Sequence, residues 1–435
     1  MSDGLEERDV VTVFLRHDAD VLLLCRSDEV GSYSDQWGGV AGHVGDSDWA
    51  DGHPDGAAHR EIREETGLDP DADVTLVRRG DPFAVEDRDL GVRWTVHPYL
   101  FDATTRTVET NYETTEIAWV PPPEILRRET VPDLWTSYDR VRPTAETVAD
   151  DHEHGSAWIS VRALETLRDG AALASERGGD WRDLATTART LRDARPSMPV
   201  VANRVNRVMA AASDDRTPEA VASAAGDEIE RALAADAEAA KHAAERLPSR
   251  AATLSRSGTV FAALRATGPE TVLVAESRPG GEGVGVAERL ASETDATVTL
   301  TTDAALAEQL ATTGVEAVVV GADAVLPDGS VLNKVGTRAA ATVAANEGVD
   351  CLVVAASDKV VPAPEGEGGQ PRIDREERDA REVYDGDADV EVVNPTFDLT
   401  PADVVDAVVT EDGALDADAV GEIAKRHRER ARWDE

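Results

Sequence analysis

The chain has two cysteines in 435 residues, Cys25 and Cys351, too few for a disulfide framework. Each sits in an apolar, strand-like run, as a buried small hydrophobe does in a reducing cytosol. Positive charge is also scarce: Lys and Arg number 44 against 86 Asp and Glu, a net charge of −42. Phosphates repel such a surface, which excludes nucleic acid and anionic membrane as direct partners. No apolar stretch approaches the roughly 18 residues that a membrane helix needs, and the N-terminal residues lack the pattern of a signal peptide. The expectation is a soluble, cytoplasmic protein. Repeats and sustained heptads are missing too.

At 41% hydrophobic residues the chain is nonetheless globular, so its acidity belongs to the surface rather than to disorder. Its length exceeds that of a single typical core and predicts two or three domains. Abundant Asp, Glu, Ala, Val and Thr with few Lys resembles proteins of salt-loving microbes, in which concentrated salt screens self-repulsion.

Chemistry is most legible in the run Arg60-Glu61-Ile62-Arg63-Glu64-Glu65-Thr66-Gly67-Leu68. It predicts a short helix ending at Gly67, a residue suited to the left-handed position just past a helix end. At about 100° per residue, Glu61, Glu64 and Glu65 stand at about 0°, 300° and 40°, on one face. Carboxylates so placed repel one another, and a hard divalent cation reverses the sign of that interaction. A solvated acidic face is the alternative in so acidic a chain. The run, preceded by Gly38-Gly39-Val40-Ala41-Gly42-His43-Val44, resembles the Arg-Glu-x-x-Glu-Glu-x-Gly core of the Nudix box. The box departs from the family upstream. Its expected Glu falls on Gly52 and its expected Gly on Asp46, as though about four residues were inserted after Gly42. Asp46, Asp48, Asp51 or Asp55 are the candidates to replace that glutamate. The resemblance implies Mg²⁺ or Mn²⁺ held by Glu64 and Glu65, with Glu61 as a further ligand or the base and Arg60 orienting the carboxylates. Glu113 and Glu116, before the strand Ile117–Val120, lie where many relatives place another carboxylate, or are solvated strand-end residues.

Strand signals at residues 10–25, 37–44, 74–77, 93–101 and 117–120 fit the Nudix α/β/α sandwich, over residues 1–142. Residues 143–250 then show helical, Ala-rich spacing at 158–173, 181–191, 200–212 and 227–247, with Arg195-Pro196-Ser197 as a turn. His152-Glu153-His154 suggests a metal pair but stands alone. Over residues 251–435 strands at 271–275, 296–301, 316–320 and 350–355 alternate with helices, which predicts a Rossmann-like parallel sheet. The fold class is therefore α/β: a Nudix sandwich, a helical subdomain and a Rossmann-like domain, closed by a helix at 416–432.

In open α/β sheets ligands bind beyond the carboxyl ends of the strands. Those ends carry Glu276-Ser277-Arg278-Pro279-Gly280-Gly281, then Gly321-Ala322-Asp323, then Asn333-Lys334-Val335-Gly336-Thr337 at a helix start. An Arg beside a Gly-rich loop suits a phosphate. Together with Asn394–Pro401 and Thr410-Glu411-Asp412-Gly413, these pieces resemble the family of initiation factor 2B alpha, beta and delta subunits. Its enzyme members are methylthioribose-1-phosphate isomerase and ribose-1,5-bisphosphate isomerase. Those isomerases use a Cys in a Thr-x-Cys-x-x-Gly-like loop with the Asp of Gly-Ala-Asp. Here the loop is Thr253-Leu254-Ser255-Arg256-Ser257-Gly258, with Ser255 at the cysteine position and no His nearby in sequence. Arg278, Asp323, Asn333, Lys334 and Ser255 are thus expected to hold a sugar phosphate or nucleotide, in a pocket that is regulatory, an altered isomerase, or a structural remnant.

The leading expectation is a metal-dependent Nudix pyrophosphohydrolase acting on a nucleotide, nucleotide-sugar or other nucleoside-diphosphate-linked substrate, fused to a regulatory sugar-phosphate-binding half. A non-catalytic regulator and a bifunctional enzyme with a working isomerase half are the alternatives. Relatives of the second half are commonly oligomers, so a homo-oligomer is expected.

Overall fold

The computed structural model describes residues 5–45, 53–364 and 374–435. The chain forms two compact units, Met1–Thr144 with Arg168–Gly179, and Ala145–Leu167 with Asp180–Glu435.

The first unit is built on an eight-stranded sheet. Its long hairpin, β1 (Glu6–His17) and β2 (Asp20–Arg26), is followed by the short β3 (Trp37–Gly38) and β4 (Val40–His43). After helix α1 (Pro54–Thr66) come β5 (Val74–Arg79), β6 (Phe83–Asp87), β7 (Val92–Ala103), β8 (Thr114–Val120) and the short helix α2 (Leu134–Asp139). The backbone order is β3-β2-β1-β7-β5, with β4 on β1, β6 on β7 and β8 on β2. β1 lies parallel to β7 over its whole length, from Glu6 opposite Val92 to Arg16 opposite Asp102. Successive strand residues point to opposite faces, and both faces are covered. Val11, Val13, Leu15, Leu22 and Leu24 pack with Ala57, Ala58 and Ile62 of α1. Phe14, Val21 and Leu23 pack with Leu134, Trp135 and Tyr138 of α2. That is the expected α/β/α sandwich. β6 carried no sequence signal, because Phe83-Ala84-Val85-Glu86-Asp87 is short and half acidic.

In the second unit α3 (Ala145–Ala149), α4 (Ser156–Arg177, of which the residues from Arg168 on count with the first unit), α5 (Trp181–Asp193), α6 (Pro199–Ala211) and α7 (Pro218–Ala244) come first. α7 begins nine residues before the expected Asp227: Pro218 fills the first turn, and the Thr217 hydroxyl accepts the Ala220 N–H as an N-cap. Then follow β9 (Arg250–Thr253), α8 (Gly258–Thr267), β10 (Thr271–Ala275), α9 (Glu282–Glu293), β11 (Thr297–Thr301), α10 (Leu306–Thr312) and β12 (Ala317–Val320). β13 (Ala324–Val325), β14 (Val331–Lys334), α11 (Thr337–Glu347), β15 (Asp350–Val354), β16 (Phe397–Thr400), β17 (Ala407–Thr410), β18 (Gly413–Leu415) and α12 (Ala417–Ala431) complete it. The main sheet runs β11-β10-β9-β12-β15-β17-β18, parallel except for its last pair, and β13-β14-β16 forms a small antiparallel sheet. Alternation again sorts the strands. Val318 and Val320 pack with Leu306, Ala340 and Ile423, and Val319 packs with Ala240, Ala243 and Leu264. The chain leaves β9 for β10 on one side and returns to β12 on the other, so the sheet has its switch point between β9 and β12.

Among the described residues, no helix is long and apolar enough to cross a membrane.

Candidate functional site

Each unit brings charged groups together at one place. In the first, β4 pairs antiparallel with β1, and Gly42 stands opposite Val11. A Cβ at Gly42 would lie 2.0 Å from Glu61 Oε1, so only glycine admits the Glu61 side chain here. α1 ends as expected: Gly67 adopts the left-handed conformation (φ 71°) and its N–H donates to the Arg63 carbonyl. Arg60 Nη2 donates both to the His43 carbonyl (2.8 Å) and to Glu61 Oε1 (2.7 Å). Glu65 Oε1 accepts the Ala41 N–H at 3.3 Å. Glu61 and Glu65 are buried and Glu64 is exposed.

Burial pushes both buried carboxyls up. Glu65 reaches about 8, helped by the charges of Glu61 and Glu113. For Glu61 the Arg60 guanidinium opposes the shift, while Glu64 and Glu113 add to it. Glu113 is therefore within electrostatic reach of both. It sits on the turn before β8, where its N–H donates to Asn111 Oδ1 and its carbonyl accepts from the Ser27 N–H. Glu116 is exposed on β8.

Two expectations change. Glu61, Glu64 and Glu65 do not close into one cluster, and among the described residues no three His, Cys, Asp or Glu side chains do. Arg60 draws Glu61 to one side, the Ala41 amide holds Glu65, and Glu64 faces solvent. Asp55 does not brace the loop by way of Arg60. It accepts two bonds from Arg79 (2.9 Å each) and one from the Tyr99 hydroxyl (2.7 Å), and Arg79 holds its carboxyl down at about 2. Asp46, Asp48 and Asp51 lie outside the described residues. The donor set still suits a hard divalent cation, because two buried carboxylates of like charge, with Glu64 and Glu113 beside them, are relieved by one.

In the second unit a cavity of about 820 Å³ opens at the switch point, where open sheets bind ligands. Ser255 follows β9 with φ 66°, its N–H donating to Ser277 Oγ at 2.6 Å. Ser257 caps α8, accepting the Val260 N–H, and the first turn of that helix lines the cavity. Asp323, after β12, is part-buried and its Oδ1 accepts from Ser156 Oγ at 2.9 Å. Loss of water raises its carboxyl, against the pull of Lys359. Asn333 and Lys334 end β14. Asn333 donates to Thr337 Oγ1 (2.9 Å), and the buried Lys334 pairs with Glu282 at 2.7 Å. The helix start beyond them is already taken, since Asp398 accepts the Gly336 and Arg338 N–H groups. The first turn of α8 lines the cavity instead, with its Val260 N–H taken by Ser257.

Ser255, Asp323, Asn333 and Lys334 all line the cavity; Arg278 does not. Its side chain is 69% exposed, turned back on Glu276 at 3.2 Å. The strand-end rule located its loop but not the direction of its guanidinium. The cavity instead gathers residues that carried no signal in sequence. Buried Arg195 donates to the Asp151 carbonyl and to Glu376, which Ser197 bonds from behind the lining, and Lys359 donates to the Ala322 carbonyl at 2.6 Å. In sequence Arg195 reads only as part of a turn before a helix. Lys359 follows β15 by five residues, so the same strand-end rule, extended to that strand, finds it.

The profile of the initiation factor 2 subunit family matches residues 152–417, which hold this entire cavity lining save Ala149. The chain belongs to that family. Residues 6–141 match the NUDIX domain. The chain is 30% identical over 322 residues to methylthioribose-1-phosphate isomerase of Azotobacter vinelandii, covering 67% of this chain and 89% of the relative. It is 32% identical over 302 residues to ribose 1,5-bisphosphate isomerase of Haloferax volcanii, covering 65% and 92%. Among solved structures it resembles the translation initiation factor eIF-2B of Pyrococcus horikoshii (TM-score 0.52, 23% identity, 62% of this chain and 94% of that one). The family fold of the second unit is shared with that structure.

Proposed function

We propose that the first unit is a metal-dependent pyrophosphohydrolase that cleaves the diphosphate of a nucleoside-diphosphate-linked substrate. The observation that carries this is the buried pair of Glu61, pressed against Gly42, and Glu65, costly to keep charged together without a cation. Mg²⁺ or Mn²⁺, held by Glu61, Glu64 and Glu65, would neutralise charge on the phosphoryl oxygens and acidify a water. Arg60 fixes the orientation of Glu61, and Glu113 adds the charge of a further carboxylate from a separate element. In molar salt, a panel of nucleotide sugars and dinucleotides should release phosphate products with either metal. Glu64→Gln should lower turnover by orders of magnitude with the fold kept. Equal activity of wild type and variant with every metal would refute the assignment.

The second unit is assigned the binding of a sugar phosphate or nucleotide, on the strength of Lys334, Lys359, Arg195 and the α8 N-terminus converging on one cavity. Calorimetric titration with ribose phosphates and nucleoside monophosphates tests it.

A further inference from the structure

The cavity holds a feature that phosphate binding alone does not require. Residues 152–156 form part of its wall, and within them the His154 ring is fixed by two neighbours, one of which is itself braced by a third residue. Asp151 meets its Nδ1 at 2.9 Å. The indole of Trp158 stacks on it with centroids 3.8 Å apart and planes 12° from parallel. The Arg162 guanidinium lies over that same indole at 4.9 Å. Two residues on, Ser156 holds Asp323, so the imidazole and the Asp323 carboxyl belong to one stretch of wall. The side chain is still 44% exposed, an unusual degree of constraint for a ring open to solvent.

We propose that His154 is a catalytic proton carrier of this cavity, working with Asp323 on a bound aldose phosphate, with Asp151 as its positioning residue. An imidazole held at Nδ1 by a carboxylate has its tautomer set and presents Nε2 to take and return a proton. This rests on the sugar-phosphate reading given above for the second unit.

The chemistry balances without a co-reactant. In the conversion of an aldose 1-phosphate to the 1-phosphoketose, Nε2 takes the proton from C2. The C2–H pair becomes the C1=C2 bond as the pair joining C1 to the ring oxygen leaves with that oxygen. The enol then collapses to the C2 carbonyl while C1 takes the proton back from Nε2. Asp323 carries the second proton from the C2 hydroxyl to the former ring oxygen. No electron enters or leaves. Among the other charged groups on this wall, Arg195, Lys334 and Lys359 remain to hold the phosphates, beside the carboxylates Glu153, Glu282 and Glu376.

The test uses the full chain with ribose 1,5-bisphosphate in D₂O, following isomerisation and C–H exchange by NMR and affinity by calorimetry. Wild type should turn over, His154→Gln should lose about a hundredfold or more in kcat, and its affinity should stay within about threefold. Asp151→Asn should lose about tenfold and displace the pH profile of kcat, which a merely structural role would not do. An unchanged His154→Gln overturns the proposal, as does a pH profile untouched by Asp151→Asn. Wild type that binds the ligand but neither isomerises nor exchanges it overturns the proposal and leaves the binding reading standing. Absence of binding defeats both.

Discussion

Replacing Glu65 by Gln should make the protein more stable and less active at once. The carboxyl is 6% exposed, and burial with the Glu61 charge lifts it from 4.5 to about 8. A carboxyl whose folded value lies above its unfolded one favours the fold only while protonated. Its contribution is intact below the unfolded value and is lost as pH rises through the folded one. The linkage integral gives a penalty of under about 1 kcal/mol at pH 5, about 3 at pH 7 and about 5 at pH 9. Gln keeps an oxygen for the Ala41 N–H and removes the titration. In EDTA and molar salt, the melting transition of the first unit should therefore rise in the variant, by more at pH 8.5 than at pH 5.5. With saturating Mg²⁺ or Mn²⁺ the order should reverse, because only wild type gains a ligand, and hydrolysis by the variant should fall by orders of magnitude. A variant less stable than wild type in EDTA at pH 8.5 would refute the account of Glu65 as a carboxylate stressed by its surroundings.

Asp358 is buried and bonded to Arg204, Arg207 and Arg231; burial would raise it, but Arg204 and Arg207 hold it below the usual carboxylate range. Asp358→Asn strands those guanidinium groups and should cost about 3–5 kcal/mol, read from urea denaturation of the second unit. Burial pushes His427 down to about 4, so it is carried neutral in the fold. Its contribution is full above the unfolded value of 6.5 and is lost as pH falls through about 4, so acid denaturation curves should be less steep over that window for His427→Gln. Lys334→Ala should weaken sugar-phosphate binding by about ten- to a hundredfold, the equivalent of a charge-assisted bond of about 1.5–3 kcal/mol. Arg278→Ala, outside the cavity lining, should leave the calorimetric affinity within about twofold.

The two candidate sites differ in how far sequence exposes them, and the difference is one of range. Arg60, Glu61, Glu64 and Glu65 lie on consecutive turns of a helix stopped by Gly67, so local periodicity and one glycine place them together. Periodicity cannot say which way each carboxylate leans, and that depends on groups far along the chain: the His43 carbonyl for Arg60, the Ala41 amide for Glu65, the turn carrying Glu113. Asp55 shows the same failure. It lies in the first turn of the same helix, yet Tyr99 and Arg79, on later strands, hold it. The second cavity lies at the extreme. Ser156 meets Asp323 across 167 residues and Arg195 meets Glu376 across 181, separations that no spacing rule spans.

What sequence supplied there was the topology, and even that was incomplete. β9 is only Arg250-Ala251-Ala252-Thr253, too short and too rich in alanine to carry a strand signal, so the first strand legible in this domain is the one at 271–275. With β9 missing, the switch point could not be located, and Ser255 had no strand end to sit on. With β9 restored, Ser255 and Asp323 fall on the adjacent strand ends flanking the switch, and the residues just before α4 become part of their wall. That explains how a histidine 101 positions from Ser255 can line the same cavity as that serine, although nothing near Ser255 in the chain offers a base. Proximity in this half of the protein is a property of the parallel sheet, which stacks strand ends from remote segments side by side, and a search for a base has to run along those ends rather than along the chain.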